Sequence, residues 1–351
     1  MSSKQRDINK RPEPVGLKDI AAITGVGVVT VHRALTKPDL VAKDTLDRIL
    51  KTADQLGYVP NRNASLLGGG APDLLALIVS SVEQPTFADT ISGVTEVALD
   101  HGLEIILGQT KYDEGRELSI TKAMLGRKPS GIIMTFHPSS PKLKKLLKMS
   151  NIPVVEVWGG GEGKPVDMSV SISSLKSGQL VADHFHELGK TNPAFFGEDY
   201  ERDIERWNGF SERWVHLTGG APPFMLDADV KDRQAGESYR WGNDIITALR
   251  ENYPEADCLF CTSDITAAGA LSAAQRQGLH VPDELAICGS GDLDIAASTY
   301  PSLTTVDLSS RKMGTIAANL IIDCLAQKPI NPKNVIIHPS LKIRESTVRS
   351  L

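Results

Sequence analysis

The sequence predicts a small all-helical head followed by a larger α/β body of two subdomains, and three observations carry that reading. From Leu17 to Leu56 apolar residues recur at helical spacing: Leu17, Ile20 and Ala21, then Val31, Ala34 and Leu35, then Leu46, Ile49, Leu50 and Ala53. From Leu74 onward short aliphatic runs alternate with amphipathic stretches: "LLALIV", "LEIIL", "GIIMTF", "IPVVEV", "PAFFG", "DCLFC", "ELAICG" and "VIIHP". Continuous apolar strands joined through helices indicate parallel sheets covered on both faces, and this many strands point to two sheets rather than one. Between the two textures, "PNRNASLLGGGAP" carries three glycines and then a proline, as a linker does.

Composition agrees with this division. A chain of 351 residues, 41% apolar and 23% charged, can bury substantial cores in two or three domains. No apolar run approaches the roughly 20 residues of a membrane helix, and "MSSKQRDINK" lacks the apolar centre of a signal peptide. These features predict a cytoplasmic protein with no membrane partner. The four cysteines all lie in the C-terminal third and do not suggest a disulfide scaffold, so reduced thiols are expected. Residues 1–65 hold eleven Lys/Arg and seven Asp/Glu, a balance of +4, whereas the whole chain stands at −5. An anionic body repels DNA and a mildly basic head attracts phosphates, so a nucleic-acid partner would be met at the N-terminus.

The head elements follow in order. In "LKDIAAITGVGVVTVHRAL" the first helix should close near Ile23, Gly25 permits a left-handed turn, and a second helix should run from Val28 to Leu35. That is helix-turn-helix spacing, although an αα-corner in any helical domain has the same pattern. On the second helix Val31, Ala34 and Leu35 face inward, while Val29 and Arg33 share the outward face with Val28, Thr30 and His32 nearby. Such a helix can lie in the major groove, where apolar groups touch thymine methyls and an arginine bonds guanine O6 and N7. Arg33 is the best candidate to read a base.

The run "VGLKDIAAITGVGVVTVHRALTKPDLVAKDTLDRILKTADQLGYVPNRNASLLGG" resembles the DNA-binding head of the lactose-repressor (LacI-type) family of bacterial transcription regulators. In the body, "PTFADTISGVTEVALDHG", "IPVVEVWGG", "CTSDITAAGALSAAQRQGLHVPDELAICGSGDLDIA" and "PSLTTVDL" look like successive landmarks of the family's effector-binding core. The likeness covers about residues 15–345, and "PTFADTISGV", "DYERDIERWNGF" and "GSGDLDIA" look most similar to the gluconate-responsive repressors. The resemblance implies a type I periplasmic-binding-protein-like body of two Rossmannoid subdomains with the ligand between them. It places a flexible tail at 1–14, the head at 15–60, a hinge helix and linker at 61–72, and the core at 73–345. The N-subdomain is expected over about 73–168 and 305–331, and the C-subdomain over about 169–304 and 332–345.

Against the family's turn, G-V-S-x-x-T-V-S-R, residues Gly25, Val26, Thr30, Val31 and Arg33 match, while Gly27 and His32 replace the two serines. Gly27 can still cap the second helix but supplies no hydroxyl to a phosphate, a contact that His32 can replace at its own position. Val28 and Val29 fall on the family's variable base-reading positions. The resemblance also implies that residues 61–68 fold into a hinge helix on operator DNA, with Asn61 and Arg62 beside the DNA and Leu67 wedged into the minor groove. Read alone, "SLL" fits a linker's helical start equally well.

Candidate effector groups come from strand ends: Glu156 after "IPVV", Arg202 and Arg206 before "WNGF", Ser263 and Asp264 ending "LFCTSD", and Asp292 after "AICGS". By resemblance Arg206 grips the effector and Arg202 is an additional basic position of the gluconate-type branch. A bidentate arginine suits a carboxylate, so a sugar acid is the natural ligand. Without the family match, Arg202 and Arg206 amid Glu201, Asp203 and Glu205 also fit a solvated, salt-bridged helix face. At Gly291 many members carry an aspartate that holds sugar hydroxyls, so a neutral pyranose fits less well.

The remaining motifs carry no chemistry. Cys258 and Cys261 form a C-x-x-C without a second ligand pair and read as buried thiols rather than zinc ligands. "GGGEG" after Trp158 leads into Lys164 and Pro165 instead of a helix, and the two histidines of "DHFHELGK" are i and i+2, which does not suit a metal pair. No metal, cofactor or catalytic motif is expected. A transport solute-binding protein would share the body but have a signal peptide in place of the head. The expectation is a homodimer or higher oligomer that represses transcription from double-stranded operator DNA under control of a small ligand.

Overall fold

The structure, a computed structural model, describes residues 15–59, 73–159, 164–198, 201–228, 230 and 238–349. The expected tail at 1–14 and the hinge, with Asn61, Arg62 and Leu67, lie outside the described residues. The chain divides into two units, Met1–Pro72 and Asp73–Leu351.

In the first unit, α1 (Leu17–Thr24), α2 (Val28–Thr36) and α3 (Lys43–Gln55) surround a core of Ile20, Ala21, Val31, Ala34, Ile49 and Ala53. The Asp19 carboxylate accepts the Gly16 backbone N–H at 2.8 Å and so fixes the start of α1. Gly25 ends it in the left-handed region, φ 68°, with its N–H donating to the Ala21 carbonyl. Gly27 is extended at the N-cap of α2 and its carbonyl accepts from Thr30 and Val31. A single turn over Pro38–Leu40 leads to α3. Leu50, which shares the helical apolar spacing, is 45% exposed: the buried stripe of α3 is Ile49 and Ala53 with Leu46 half-buried, and Leu50 lies just off its edge.

The second unit begins with β1 (Leu74–Val79), α4 (Pro85–Asp100), β2 (Glu104–Gln109), α5 (Glu114–Leu125), β3 (Gly131–Met134), α6 (Pro141–Ser150), β4 (Val154–Val157) and β5 (Met168–Ile172). It continues with α7 (Ser174–Glu187), β6 (Pro193–Phe196), α8 (Glu201–Thr218), β7 (Phe224–Met225), α9 (Gly242–Asn252), β8 (Cys258–Cys261), α10 (Asp264–Arg276), β9 (Ala286–Ser290), α11 (Asp294–Ser298) and β10 (Thr304–Asp307). It closes with α12 (Ser310–Leu325), β11 (Asn334–Ile337) and β12 (Ser340–Lys342). Side-chain caps start several of these helices: Asp113 for α5, Ser140 for α6, Ser173 for α7 and Ser263 for α10.

Two six-stranded sheets result, ordered β11-β5-β4-β3-β1-β2 and β12-β10-β9-β8-β6-β7. All pairings are parallel except β10 with β12. Each sheet is apolar on both faces, as the continuous runs require. Leu75, Leu77 and Val79 of β1 join one core cluster, and Ala76 and Ile78 join another.

The chain crosses between the sheets at different places from those expected. Residues 169–172 pair with β4 and β11 in the first sheet, which also keeps Asn334–Ile337, while residues 305–307 belong to the second. Each of these segments pairs with its sheet across non-local contacts that a local pattern does not encode.

Helices α7 and α8 are pressed together at glycines. A Cβ on Gly178 would stand 2.1 Å from the Arg206 carbonyl oxygen, and one on Gly209 2.0 Å from that of Leu175. Only hydrogen fits there, so the two backbones meet directly and the face of α8 is fixed. Among the described residues, no helix is long and apolar enough to cross a membrane.

Candidate nucleic-acid interface and effector site

The outward face of α2 carries the residues that the sequence assigned to reading. Val29 is 72% exposed and Val28 40%, while Val31 and Ala34 behind them are buried. His32 and Arg33 are exposed and Thr30 half-buried. Exposed apolar residues also occur elsewhere in this unit, at Ile23 and Leu40, so what distinguishes the valines is their place at the open end of α2 beside His32 and Arg33. The Thr36 hydroxyl donates to the His32 carbonyl at 2.8 Å, which leaves the imidazole of His32 uninvolved in that bond.

In the body, the strands of each sheet run the same way, apart from β12, so their C-terminal ends gather candidate groups at one edge. Arg206, on α8, is buried and its Nη1 donates to Asp203 at 2.8 Å and to the Thr262 carbonyl at 3.3 Å. Asp203 also accepts from the Thr262 hydroxyl and the Glu198 N–H. This lattice ties the start of α8 to the ends of β6 and β8, and a solvated helix face does not describe it.

Ser263 and Asp264 follow directly. Ser263 caps α10 by accepting the Ile265 N–H. Asp264 is fully buried, with one carboxylate oxygen accepting from the Thr305 hydroxyl at 2.5 Å and the other from the Leu293 N–H at 2.8 Å. Burial pushes its pKa up to about 7, against the pull of those two donors. Asp292, in the next loop, accepts from Arg344 at 2.5 Å. It lines a cavity of about 490 Å³ with Asp89, Asp307 and Ser310 where the chain crosses between sheets. Glu156, by contrast, is committed inside the first subdomain: one oxygen contacts His137 Nδ1 at 2.6 Å and the other accepts the Val166 N–H at 2.7 Å.

Arg202 is different from the other candidates. It lies one turn before Arg206, and its guanidinium carbon stands 5.3 Å from the Phe87 ring centre and 5.4 Å from that of Trp158. These rings belong to α4 and the end of β4, so the contact joins the two subdomains. Among the described residues, Arg202 makes no hydrogen bond or ion pair. Sequence reasoning missed Phe87, Trp158, Asp203 and Thr262. The first two lie in "PTFADTISGV" and "IPVVEVWGG", runs read only as landmarks of the resemblance, and the others carry no signal until the helix is folded against β8.

The other motifs resolve simply. Cys258 and Cys261 are buried in different core clusters, because residues three apart on a strand point to opposite faces; burial pushes both thiols well up. His184 is buried against the Thr347 hydroxyl at 2.8 Å, and His186 is exposed. Among the described residues, no cluster of His, Cys, Asp or Glu could hold a metal ion.

A helix-turn-helix head followed by an α/β body of two sheets is the architecture of a DNA-binding transcriptional regulator, not an enzyme. Residues 16–61 match the model for "Bacterial regulatory proteins, lacI family", and residues 182–347 match that for "Periplasmic binding protein-like domain". The chain thus has a LacI-family helix-turn-helix head and a periplasmic-binding-protein-like body, and it is similar to LacI-type regulators over most of its length. It is 29% identical to the HTH-type transcriptional regulator GntR of Escherichia coli (strain K12) over 92% of this chain and 96% of that one. It is 28% identical to the HTH-type transcriptional repressor PurR of Haemophilus influenzae (strain PittEE), over 94% and 98% respectively. A LacI-family regulator from Silicibacter pomeroyi superposes with a TM-score of 0.83 at 27% identity, covering 95% of this chain and 99% of that one.

Proposed function

We propose that this chain is a homodimeric cytoplasmic repressor of sugar-acid catabolism genes, released from or recruited to its operator by a small sugar acid such as gluconate or a ketogluconate. The observation that carries the ligand class is Arg202. Its guanidinium is held between subdomains without an oxygen partner among the described residues, and a carboxylate would supply one in bidentate geometry. Arg206, anchored by Asp203 and Thr262, forms the rigid wall beside it. Ser263 and Asp292 stand at neighbouring strand ends for hydroxyl contacts, while Glu156 and Asp264 support the loops around them.

On DNA, Val28 and Val29 pack against thymine methyls, Arg33 bonds a guanine edge, and Thr30 and His32 contact phosphates. Two heads of a dimer would read a palindrome, with Asn61, Arg62 and Leu67 acting at its centre. The relative named as a repressor supports that direction of control.

The test is a binding titration on upstream promoter fragments with and without gluconate, ketogluconates and neutral sugars. Specific retention that changes with a sugar acid, and loses that response in Arg202→Ala, is expected. Retention of no fragment would remove the regulatory reading; a response only to neutral sugars would remove the ligand class.

A further inference from the structure

We infer that Phe87 and Trp158 form an aromatic seat that positions Arg202 across the cleft, so that anion binding and subdomain closure are coupled through this one side chain. The inference rests on the reading of the cleft as a sugar-acid site and adds how that site is assembled.

The seat is rigid and belongs wholly to the first subdomain. Phe87 is completely buried in the first turn of α4, and Trp158 is 4% exposed. Their rings meet edge to face, 5.9 Å between centres. The Trp158 indole N–H donates to the Thr90 hydroxyl at 2.9 Å, and its backbone N–H donates to the Val170 carbonyl. The Trp158 backbone is itself left-handed, φ 65°, a conformation that a bulky residue holds only when its surroundings impose it.

Arg202 comes from the opposite subdomain, and both ring centres are within the 6 Å or so at which a guanidinium is attracted to an aromatic face. Rings set 80° apart can take at most one flat face of the guanidinium, and neither offers an oxygen acceptor, so N–H groups of Arg202 remain for a planar acceptor. A lysine in this place would have neither the flat stacking surface nor the forked edge. Opening the lobes withdraws Arg202 from the seat and returns its charge to water, so the geometry that receives a carboxylate exists only at this lobe separation. An anion that binds here therefore favours the seated arrangement.

The experiment is a pair of double-mutant cycles with Phe87→Leu, Trp158→Phe and Arg202→Met on the full-length protein. In the first, melting temperatures are measured without ligand; the seat predicts that Phe87→Leu combined with Arg202→Met lowers the midpoint by about 2 °C less than the sum of the single changes. Additive shifts would overturn the seat whatever the ligand is. In the second, calorimetry with sodium gluconate, and glucose as neutral comparator, should show about tenfold weaker gluconate binding in Phe87→Leu and in Trp158→Phe. Neither change should weaken it further in an Arg202→Met background. Arg202→Lys should restore little of the loss. Equal weakening in both backgrounds, or unchanged binding, would overturn the coupling. If wild type binds no sugar acid, the ligand class and the coupling to anion binding both fail, while the first cycle still decides whether the seat exists.

Discussion

Asp264→Asn should remove most of a pH-dependent penalty from the body. The Asp264 carboxyl titrates near pH 7 in place of its usual 3.8, chiefly because it is buried. Between those values the folded state holds a proton that the unfolded state has released, so this group makes stability fall as pH rises, by about 1.4 kcal/mol per unit. The loss reaches roughly 4 kcal/mol by pH 7 and levels off above it. Asparagine keeps both partners: its carbonyl oxygen can accept the Leu293 N–H and its amide can donate to the Thr305 hydroxyl, with no charge to bury.

Urea unfolding from pH 5 to 8, at one protein concentration, reads this through tryptophan fluorescence, because all four tryptophans, Trp158, Trp207, Trp214 and Trp241, belong to the body. His184 works in the opposite sense. Its pKa is lowered by burial, so its contribution is lost as pH falls. The quantity to compare is therefore the difference between variant and wild type, in which His184 cancels. That difference should move by about 2 kcal/mol in favour of the variant between pH 5 and 7. Parallel curves would refute the argument that burial of Asp264 dominates over its two hydrogen-bond donors.

Arg33→Ala should weaken operator binding by about 1–3 kcal/mol, measured by fluorescence anisotropy, and leave sugar-acid binding intact. Val29→Ser should flatten discrimination at a single thymine position, visible as a smaller affinity ratio between thymine- and uracil-substituted operators. Gly209→Ala would force a Cβ to within 2.0 Å of the Leu175 carbonyl oxygen. The helices must then separate, and the body's melting temperature should fall by an amount equivalent to about 1–3 kcal/mol or more.

What the sequence made legible was local. The glycine turn and the apolar stripes placed α2 at Val28–Leu35 against the observed Val28–Thr36, because the turn and the 3.6-residue period act within a few residues. The apolar runs announced two sheets for the same reason. Strand partnership was beyond reach: Asn334–Ile337 joins the first sheet beside β5, more than 160 residues earlier in the chain, and only the folded ladder decides that. Leu50 shows the finer limit, where a residue one position from a buried stripe has the right spacing and the wrong side of the edge.

The arginine pair shows how a misleading local pattern acquires its function from packing. Residues 202 and 206 sit four apart in an acidic stretch, which on an isolated helix makes solvated ion pairs. Here the glycine contacts of α7 with α8 fix which face of α8 turns inward. That rotation buries Arg206, commits it to Asp203 and Thr262, and aims Arg202, one turn toward the helix start, at the rings of the other lobe. Two identical side chains thus acquire different roles through their depth along one helix. In the proposed site Arg206 makes the wall rigid, whereas Arg202 carries the charge that a carboxylate ligand would meet. Of the two, only replacement of Arg202 should separate anion binding from the integrity of the body.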